Sequence, residues 1–430
     1  MRKEDEITKA FKWVEKNLGQ VHILINNAGV AKEGLLSNGD TEAWRNTFDV
    51  NVMGLCIATR EAVKSMTANN INGHIIHINS VAGHKVVYFP GINVYTASKH
   101  AVTALAETLR HEFLARGSKI KITSVSPGFV ISEMTTLNTG YSPERQKMLK
   151  SQPILKPEDI ADAVCYVLST PETVQSVKMV LSLSRWMGKV AIVTGASSGI
   201  GAAIADALVA NGVIVAGLAR RSERIQERAK KLQGKLHAIR TDMRKEDEII
   251  KAFKWVEKNL GQVHILINNA GVSTESFLAN GDTEAWRNIF DVNVMGLCIA
   301  TREAVKSMTT NDINGHIVHI SSIAGHKIVN VPGINAYTAS KHAVTALAGT
   351  LRNEFLTLGS KIKITSVSPG LVISEMTTLG TGYSAERQEM MKSQPILKPE
   401  DVADAVCYAL STPENVEINE LTITPVGERI

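Results

Sequence analysis

Cysteine is scarce in this chain, with four in 430 residues, at Cys56, Cys165, Cys298 and Cys407. No two form a CxxC pair and none clusters with histidine, which excludes a disulfide scaffold and a structural zinc site. The expectation is a reduced, cytoplasmic setting with the thiols as buried spectators. Long apolar runs are also lacking. Stretches such as Val190 to Val193 and Val213 to Leu218 have strand length, far below the roughly 20 residues that a membrane helix needs. The opening MRKEDEITKAF is charged from its second residue, so it has neither the apolar core nor the small-residue cleavage site of a signal peptide. Charge of one sign is missing too. The 47 Lys+Arg and 42 Asp+Glu leave +5, without any block of like charges, which argues against nucleic acid or an anionic membrane as partner. A hydrophobic content of 44% and only 31 glycines and 12 prolines exclude disorder and collagen.

What the chain does have is a repeat. MRKEDEITKAFKWVEKNLGQVHILINNAG from Met1 returns almost unchanged from Met243, an offset of 242, and the copies run in register to Gln175 and Glu417. Of 175 aligned positions 29 differ, mostly by apolar swaps or where Ala31 to Ser37 faces Ser273 to Ala279. Solenoid repeats are far shorter, so the period signifies duplicated domains. Residues 186–242 have no counterpart before the first copy. They alternate strand and helix signals: strands at Lys189 to Val193, Val213 to Leu218 and Leu236 to Arg240, helices at Gly199 to Asn211 and Ser222 to Gln233. Further strands are expected near Ile265, Ile317, Ile364 and Leu421, with helices between. Strands separated by helices imply right-handed crossovers and a parallel sheet covered on both faces. The expected organisation is a truncated repeat over 1–175, a linker over 176–185 and a complete α/β, doubly wound, Rossmann-like domain over 186–430.

Between the first strand and helix of that domain lies TGASSGIG, Thr194 to Gly201. Gly195 permits the tight turn, Gly199 lets the backbone approach a pyrophosphate and Gly201 allows close helix packing. The helix start, with Ser197, Ser198 and Ile200 around it, offers free N–H groups to an anion. An acidic residue about 20 positions on, at the end of the second strand, would mark NAD. Here that strand ends Ala219-Arg220-Arg221. The acid is missing, and two guanidinium groups suit a 2'-phosphate, which favours NADP; solvated surface arginines are the plainer alternative. Asn268-Asn269-Ala270-Gly271, Asn293 in a helix, Ser322 after a strand and Tyr337 with Lys341 follow in order. The spacing of Tyr337 and Lys341 puts phenol and ammonium on one helix face, and a neighbouring cation is what makes a tyrosine useful as an acid-base group near neutrality.

Taken together, these segments resemble the short-chain dehydrogenase/reductase family. The resemblance covers Arg185 to Ile430 throughout and Met1 to about Gln175 in part. It implies that Tyr337 is the general acid-base, that Lys341 lowers the pKa of Tyr337 and holds the nicotinamide ribose, that Ser322 polarises the substrate oxygen and that Asn293 anchors a proton-relay water. It also implies that Asp242 and Met243 border the adenine, that Asn269 with Ala270 and Gly271 borders the adjoining ribose, and that Pro369, Gly370 and Val372 border the nicotinamide. No metal is implied. Within the family the likeness is greatest to NADP-dependent dehydrogenases of farnesol and to carbonyl and steroid reductases, carried by RWMGKVAIVTGASSGIGAAIA, GHIVHISSIAGHK and SPGLVISEM. The implied substrate is a small apolar alcohol or carbonyl, with a prenyl alcohol first and a steroid or small carbonyl behind it; a non-catalytic interaction protein is the competing class, and a homo-oligomer is left open. Two departures stand out: the loop Gly325 to Asn335 is longer than in many relatives, and Ser374 replaces a threonine. Val372 to Pro395, with Met376, Leu379, Tyr383, Met390 and Met391, suits a long apolar substrate or an ordinary amphipathic helix.

The first copy keeps Asn51, Ser80, Tyr95 and Lys99 but lacks the glycine turn and the three opening strands, so its first strand is expected at an open apolar sheet edge. Met1 aligns with the internal Met243, as a duplicated gene read from an interior methionine, or two merged tandem genes, would produce. His316 and His319 lie three apart in a strand and point to opposite faces, which disfavours a metal pair.

Overall fold

Short apolar runs become the strands of two separate parallel sheets. The structure is a computed structural model, and it describes the chain apart from residues 33–35, 38, 85, 87–92, 137–153, 170–182, 233–234, 330, 332, 379–388, 390–393 and 429–430. The chain divides into two compact units, Met1–Gln175 and Ser176–Ile430. Leu379, Tyr383, Met390 and Met391 lie outside the described residues, as does most of the expected linker.

The first unit holds β1 (Ile23–Asn26), β2 (His74–Ile78) and β3 (Lys121–Val125), parallel and adjacent in that order. The second holds β4 (Val190–Thr194), β5 (Ile214–Ala219), β6 (Leu236–Arg240), β7 (Val263–Asn268), β8 (His316–Ile320), β9 (Lys363–Pro369) and β10 (Glu420–Ile423). Their order is β10-β9-β8-β7-β4-β5-β6 and every pair is parallel. This is the Rossmann-like α/β arrangement. All of β4 and β9 is buried; β4 therefore reads as an apolar run rather than an alternating one, whereas β9 buries Lys363, Thr365, Ser366 and Ser368. Ile192, Leu266, Ile317 and Ile364 of the sheet pack with Phe253, Val256, Met308 and Phe355 of its helices.

Two local devices fix the ends of this unit. The Trp186 indole N–H donates to the Leu410 carbonyl at 2.7 Å, tying the entry to β4 to the helix Pro399–Ser411. That helix opens with Pro399, whose missing N–H costs nothing there, and Asp401 accepts from the Lys398 N–H at 2.7 Å.

The truncation shows in the exposure of the shared strand. In the second unit β7 lies between β8 and β4, and Ile265 and Ile267 are 0% exposed. Their counterparts in β1, Ile23 and Ile25, are 49% and 43% exposed, because β1 is the edge strand of its sheet among the described residues. The cysteines correct an expectation: none is fully buried, and Cys165 is exposed. Cys407, its counterpart, sits on the helix Pro399–Ser411, which packs on Gly199–Ala210, a helix the first copy lacks. Among the described residues no helix is long and apolar enough to cross a membrane.

Candidate active site

The sheet changes direction of growth at β4, which is flanked by β5 on one side and β7 on the other. In such sheets the crevice outside the carboxyl ends of the strands, at the switch point, is where ligands bind. The glycine turn leaves the end of β4, Arg220 follows β5, Asp242 follows β6, Asn269 follows β7, Ser322 follows β8, and Pro369 ends β9.

Thr194 organises the turn. Its hydroxyl accepts from the N–H groups of Asn269 and Ala270, both at 3.0 Å, and its carbonyl accepts from the Asn269 side-chain amide at 2.9 Å. Gly195 and Gly199 have φ of +69° and +54°, the left-handed region that glycine enters without strain. At Gly201 a Cβ would collide with the Gly195 carbonyl and the Asn269 side chain. Ser198 precedes the helix Gly199–Ala210 but makes no side-chain cap, so the first N–H groups remain available to an anion. Ser197 and Ile200 are half-buried beside them.

Arg220 is exposed. Arg221 is not simply solvated: its guanidinium donates to Glu375 at 2.5 Å and to Ser198 at 3.3 Å. Asp242 is held by Arg244 through bonds of 2.6 and 3.0 Å, which with the Arg244 backbone N–H lower its carboxyl to about 2. The Met243 side chain lies in the core, and its carbonyl packs against Gly296.

Asn293 lies in a π-helical turn, Asp291–Gly296, rather than in a regular helix; such widened turns are frequent at functional sites. Its side-chain oxygen accepts from the Val272 N–H at 2.8 Å, while its amide donates to the Val272 carbonyl and the Ser340 hydroxyl, both at 3.0 Å. The side chain thereby pins the segment after Gly271 to the helix Asn335–Thr357. Ser340 in turn donates to the Tyr337 carbonyl at 2.7 Å. One turn on, Lys341 is 5% exposed, donates to the Ile320 carbonyl at 2.8 Å and stands 5.6 Å from the Tyr337 ring centre. Burial lowers its ammonium to about 8. Ser322 caps the turn Ile323–Gly325 by accepting from the Ala324 N–H at 3.1 Å, which leaves its own O–H free to donate elsewhere. Tyr337 packs against the apolar cluster formed by that turn and its loop, with Ile323, Ala324 and Ile334.

After β9, Gly370 donates to the Ile423 carbonyl at 2.7 Å and Val372 bridges to Leu397. The Leu371 N–H donates to Glu428 at 2.8 Å, and a Cβ at Gly370 would strike that carboxylate. Burial pushes Glu428 up to about 7. The sequence pattern does not mark Arg224, Ser340, Glu375 or Glu428. Arg224 alone left a trace, one helical turn beyond Arg221. His316 and His319 bond to different partners, Thr365 at 2.8 Å and Thr301 at 3.3 Å.

The first unit repeats the second half of this site. Asn51 bonds Val30 and Ser98 at 2.8 to 3.0 Å, Lys99 donates to the Ile78 carbonyl at 2.8 Å and stands 5.7 Å from the Tyr95 ring centre, and Ser80 caps Ala82 at 3.1 Å. It has no glycine turn and no arginine pair, since it lacks counterparts of residues 186–242.

Residues 1–140 and 189–381 match the family described as short chain dehydrogenase. The chain is 46% identical over 255 residues to a farnesol dehydrogenase of Aedes aegypti, covering 57% of this chain and all of that protein. It is 41% identical over 256 residues to dehydrogenase/reductase SDR family member 11 of Mus musculus, covering 57% of this chain and 97% of that one. Among solved structures, the closed form of a serine dehydrogenase complexed with NADP+ is similar at 30% identity and a TM-score of 0.50, covering 54% of this chain and 93% of that one. A short-chain type dehydrogenase/reductase from Mycobacterium marinum is similar at 26% and 0.51, covering 55% and 94%. A single relative therefore accounts for only one copy, and the family match returns in the other: the chain belongs to the short chain dehydrogenase family, as one complete domain preceded by a truncated repeat.

Proposed function

We propose that the second unit is an NADP-dependent oxidoreductase that interconverts an alcohol and a carbonyl, with farnesol or a similar prenyl alcohol as substrate. The observation that carries this reading is the buried Lys341 ammonium 5.6 Å from the Tyr337 ring centre, at the mouth of a sheet whose glycine turn and arginine pair suit a phosphorylated dinucleotide. A scaffold protein gains nothing from a buried cation beneath a tyrosine, because desolvating it costs stability.

Nicotinamide, when bound, supplies or accepts the hydride. The groups that would hold the dinucleotide are Thr194 to Gly201, Arg220, Arg221, Asp242, Met243, Asn269 to Gly271, Lys341 and Pro369 to Val372. Positive φ at Gly195 and Gly199 and the uncapped helix start fit a pyrophosphate. Tyr337 exchanges the proton with the substrate oxygen. Lys341 favours the phenolate of Tyr337 by its charge, and Ser322 donates a hydrogen bond to the same oxygen. Asn293 acts by position, since its side chain already bonds Val272 and Ser340. The preference for NADP rests on Arg220 and Arg221, and the prenyl substrate on the likeness to the Aedes aegypti protein.

The test is oxidation of NADPH and NADH with farnesal, a ketosteroid and a small dicarbonyl on one preparation. The expected result is NADPH turnover with kcat/KM highest for the prenyl aldehyde. A clear preference for the ketosteroid would replace the substrate, a preference for NADH would overturn the cofactor, and no turnover with any of them would overturn the enzyme.

A further inference from the structure

Glu375 opens a short helix, Glu375–Thr378, in the segment that follows Pro369-Gly370. Its carboxylate reaches back across the mouth of the sheet. One oxygen accepts from Arg221 at 2.5 Å and from the Ser198 hydroxyl at 3.2 Å, and the other accepts from Arg224. The neighbouring Ser374 lies against the glycine turn, 3.3 Å from where a Cβ on Gly199 would stand. A single side chain therefore joins the start of the helix Gly199–Ala210 to the residues that follow β5.

The charges of this bridge do not balance. Two guanidinium groups face one carboxylate, and Arg220 is exposed alongside. The side chains of Arg221, Arg224 and Glu375 are 46%, 43% and 31% exposed. Ion pairs so open to water add little to stability and are cheap to break. Two guanidinium groups and a hydroxyl beside a helix N-terminus form a donor set that takes a phosphate monoester better than a carboxylate. Such a phosphate carries about −1.5 to −2 charges and three acceptor oxygens.

We infer that Glu375 is a competitor built into the site. Its carboxylate holds Arg221 and Arg224 when no 2'-phosphate is present and leaves when the 2'-phosphate of an adenine nucleotide takes the same donors. Glu375 thus sets how strongly a phosphorylated nucleotide is preferred, and it links that phosphate to the position of Leu371–Thr377. The inference rests on the NADP reading above. A nucleotide without the 2'-phosphate offers the arginines nothing and leaves the bridge closed.

The experiment titrates adenosine 2',5'-bisphosphate and 5'-AMP into the full-length protein and its Glu375→Gln and Glu375→Ala variants by calorimetry. Both variants should bind the bisphosphate about tenfold more tightly than the parent and 5'-AMP within about twofold of it. In the parent, amide exchange over Leu371–Thr377 should quicken with the bisphosphate and not with 5'-AMP. Variants that bind the bisphosphate no better than the parent would overturn the competition, and unchanged exchange would overturn the link to that segment. If the parent shows no preference for the bisphosphate while the variants gain one, the NADP reading fails and the competitor stands.

Discussion

Two side chains of the second unit, the half-buried Glu428 and the buried Lys341, are shifted by burial in opposite directions. Glu428 is pushed from its ordinary 4.5 up to about 7 by burial, against the Leu371 N–H and Lys327, which favour the charged form. The native state therefore keeps a proton that the unfolded chain has lost. That contribution to stability is full below about pH 4.5, declines as pH rises and is gone above about pH 7. Glu428→Gln, which keeps an acceptor for Leu371, should raise the urea midpoint at pH 8 and leave it nearly unchanged at pH 4.5. Equal midpoints at pH 8 would mean that the native fold does not raise the pKa of this carboxyl. Burial lowers Lys341 from 10.5 to about 8, so at neutral pH its charge is retained, as the role proposed for Tyr337 requires. Tyr337→Phe should cut turnover of the whole chain by about 10²–10⁴-fold, the usual worth of a positioned acid-base group. Tyr95→Phe should leave it unchanged. Steady-state rates on the two variants decide this, and loss of about half the activity in the Tyr95 variant would show that the first unit also works.

At the scale of elements, the proposed NADP preference rests on the end of β5. Replacing Ala219 with Asp and Arg220 with Gln adds a ribose acceptor that repels phosphate and removes one guanidinium. The ratio of kcat/KM for NADPH over NADH should fall by about tenfold or more, while Arg221 and Arg224 keep some preference; an unchanged ratio would place the clamp elsewhere. The strands were legible in the sequence because a parallel sheet buries both faces. Val190 to Val193 and Val213 to Leu218 read as unbroken apolar runs, and the structure moves each strand only to Val190–Thr194 and Ile214–Ala219. Thr194 escaped the apolar pattern because its hydroxyl, not its bulk, earns its burial. The parts of the site fixed by spacing along one helix, Tyr337 and Lys341, were legible for the same local reason. Glu375 was not: its partners lie 154 and 177 positions away, and no local pattern encodes a contact that the crossovers create. The π-turn at Asp291–Gly296 was also hidden, since its sequence passes for ordinary helix.

Over the whole molecule the two copies share the tyrosine–lysine arrangement, while the glycine turn and Arg220-Arg221 precede the second copy alone. Hydride transfer needs the reacting carbons held together, and remote binding energy is what holds them. Calorimetry on the full chain should therefore give one NADP per chain, and residues 183–430 alone should keep the activity. Two sites per chain would mean that the first unit borrows a cofactor half from another chain.

The open side of β1 has a consequence for how the protein is made. β1 and β7 carry the same run, Ile-Leu-Ile-Asn, and β7 uses it to receive β4. On the ribosome β1 emerges before β4, and β7 emerges after both. For the time it takes to add the residues between β6 and the end of β7, on the order of seconds at cellular rates, the only copy of that run available to β4 is the wrong one. Slowing translation just after Arg240 should lengthen this interval and lower the yield of active protein, whereas refolding from denaturant, where both copies are present at once, should be insensitive to it.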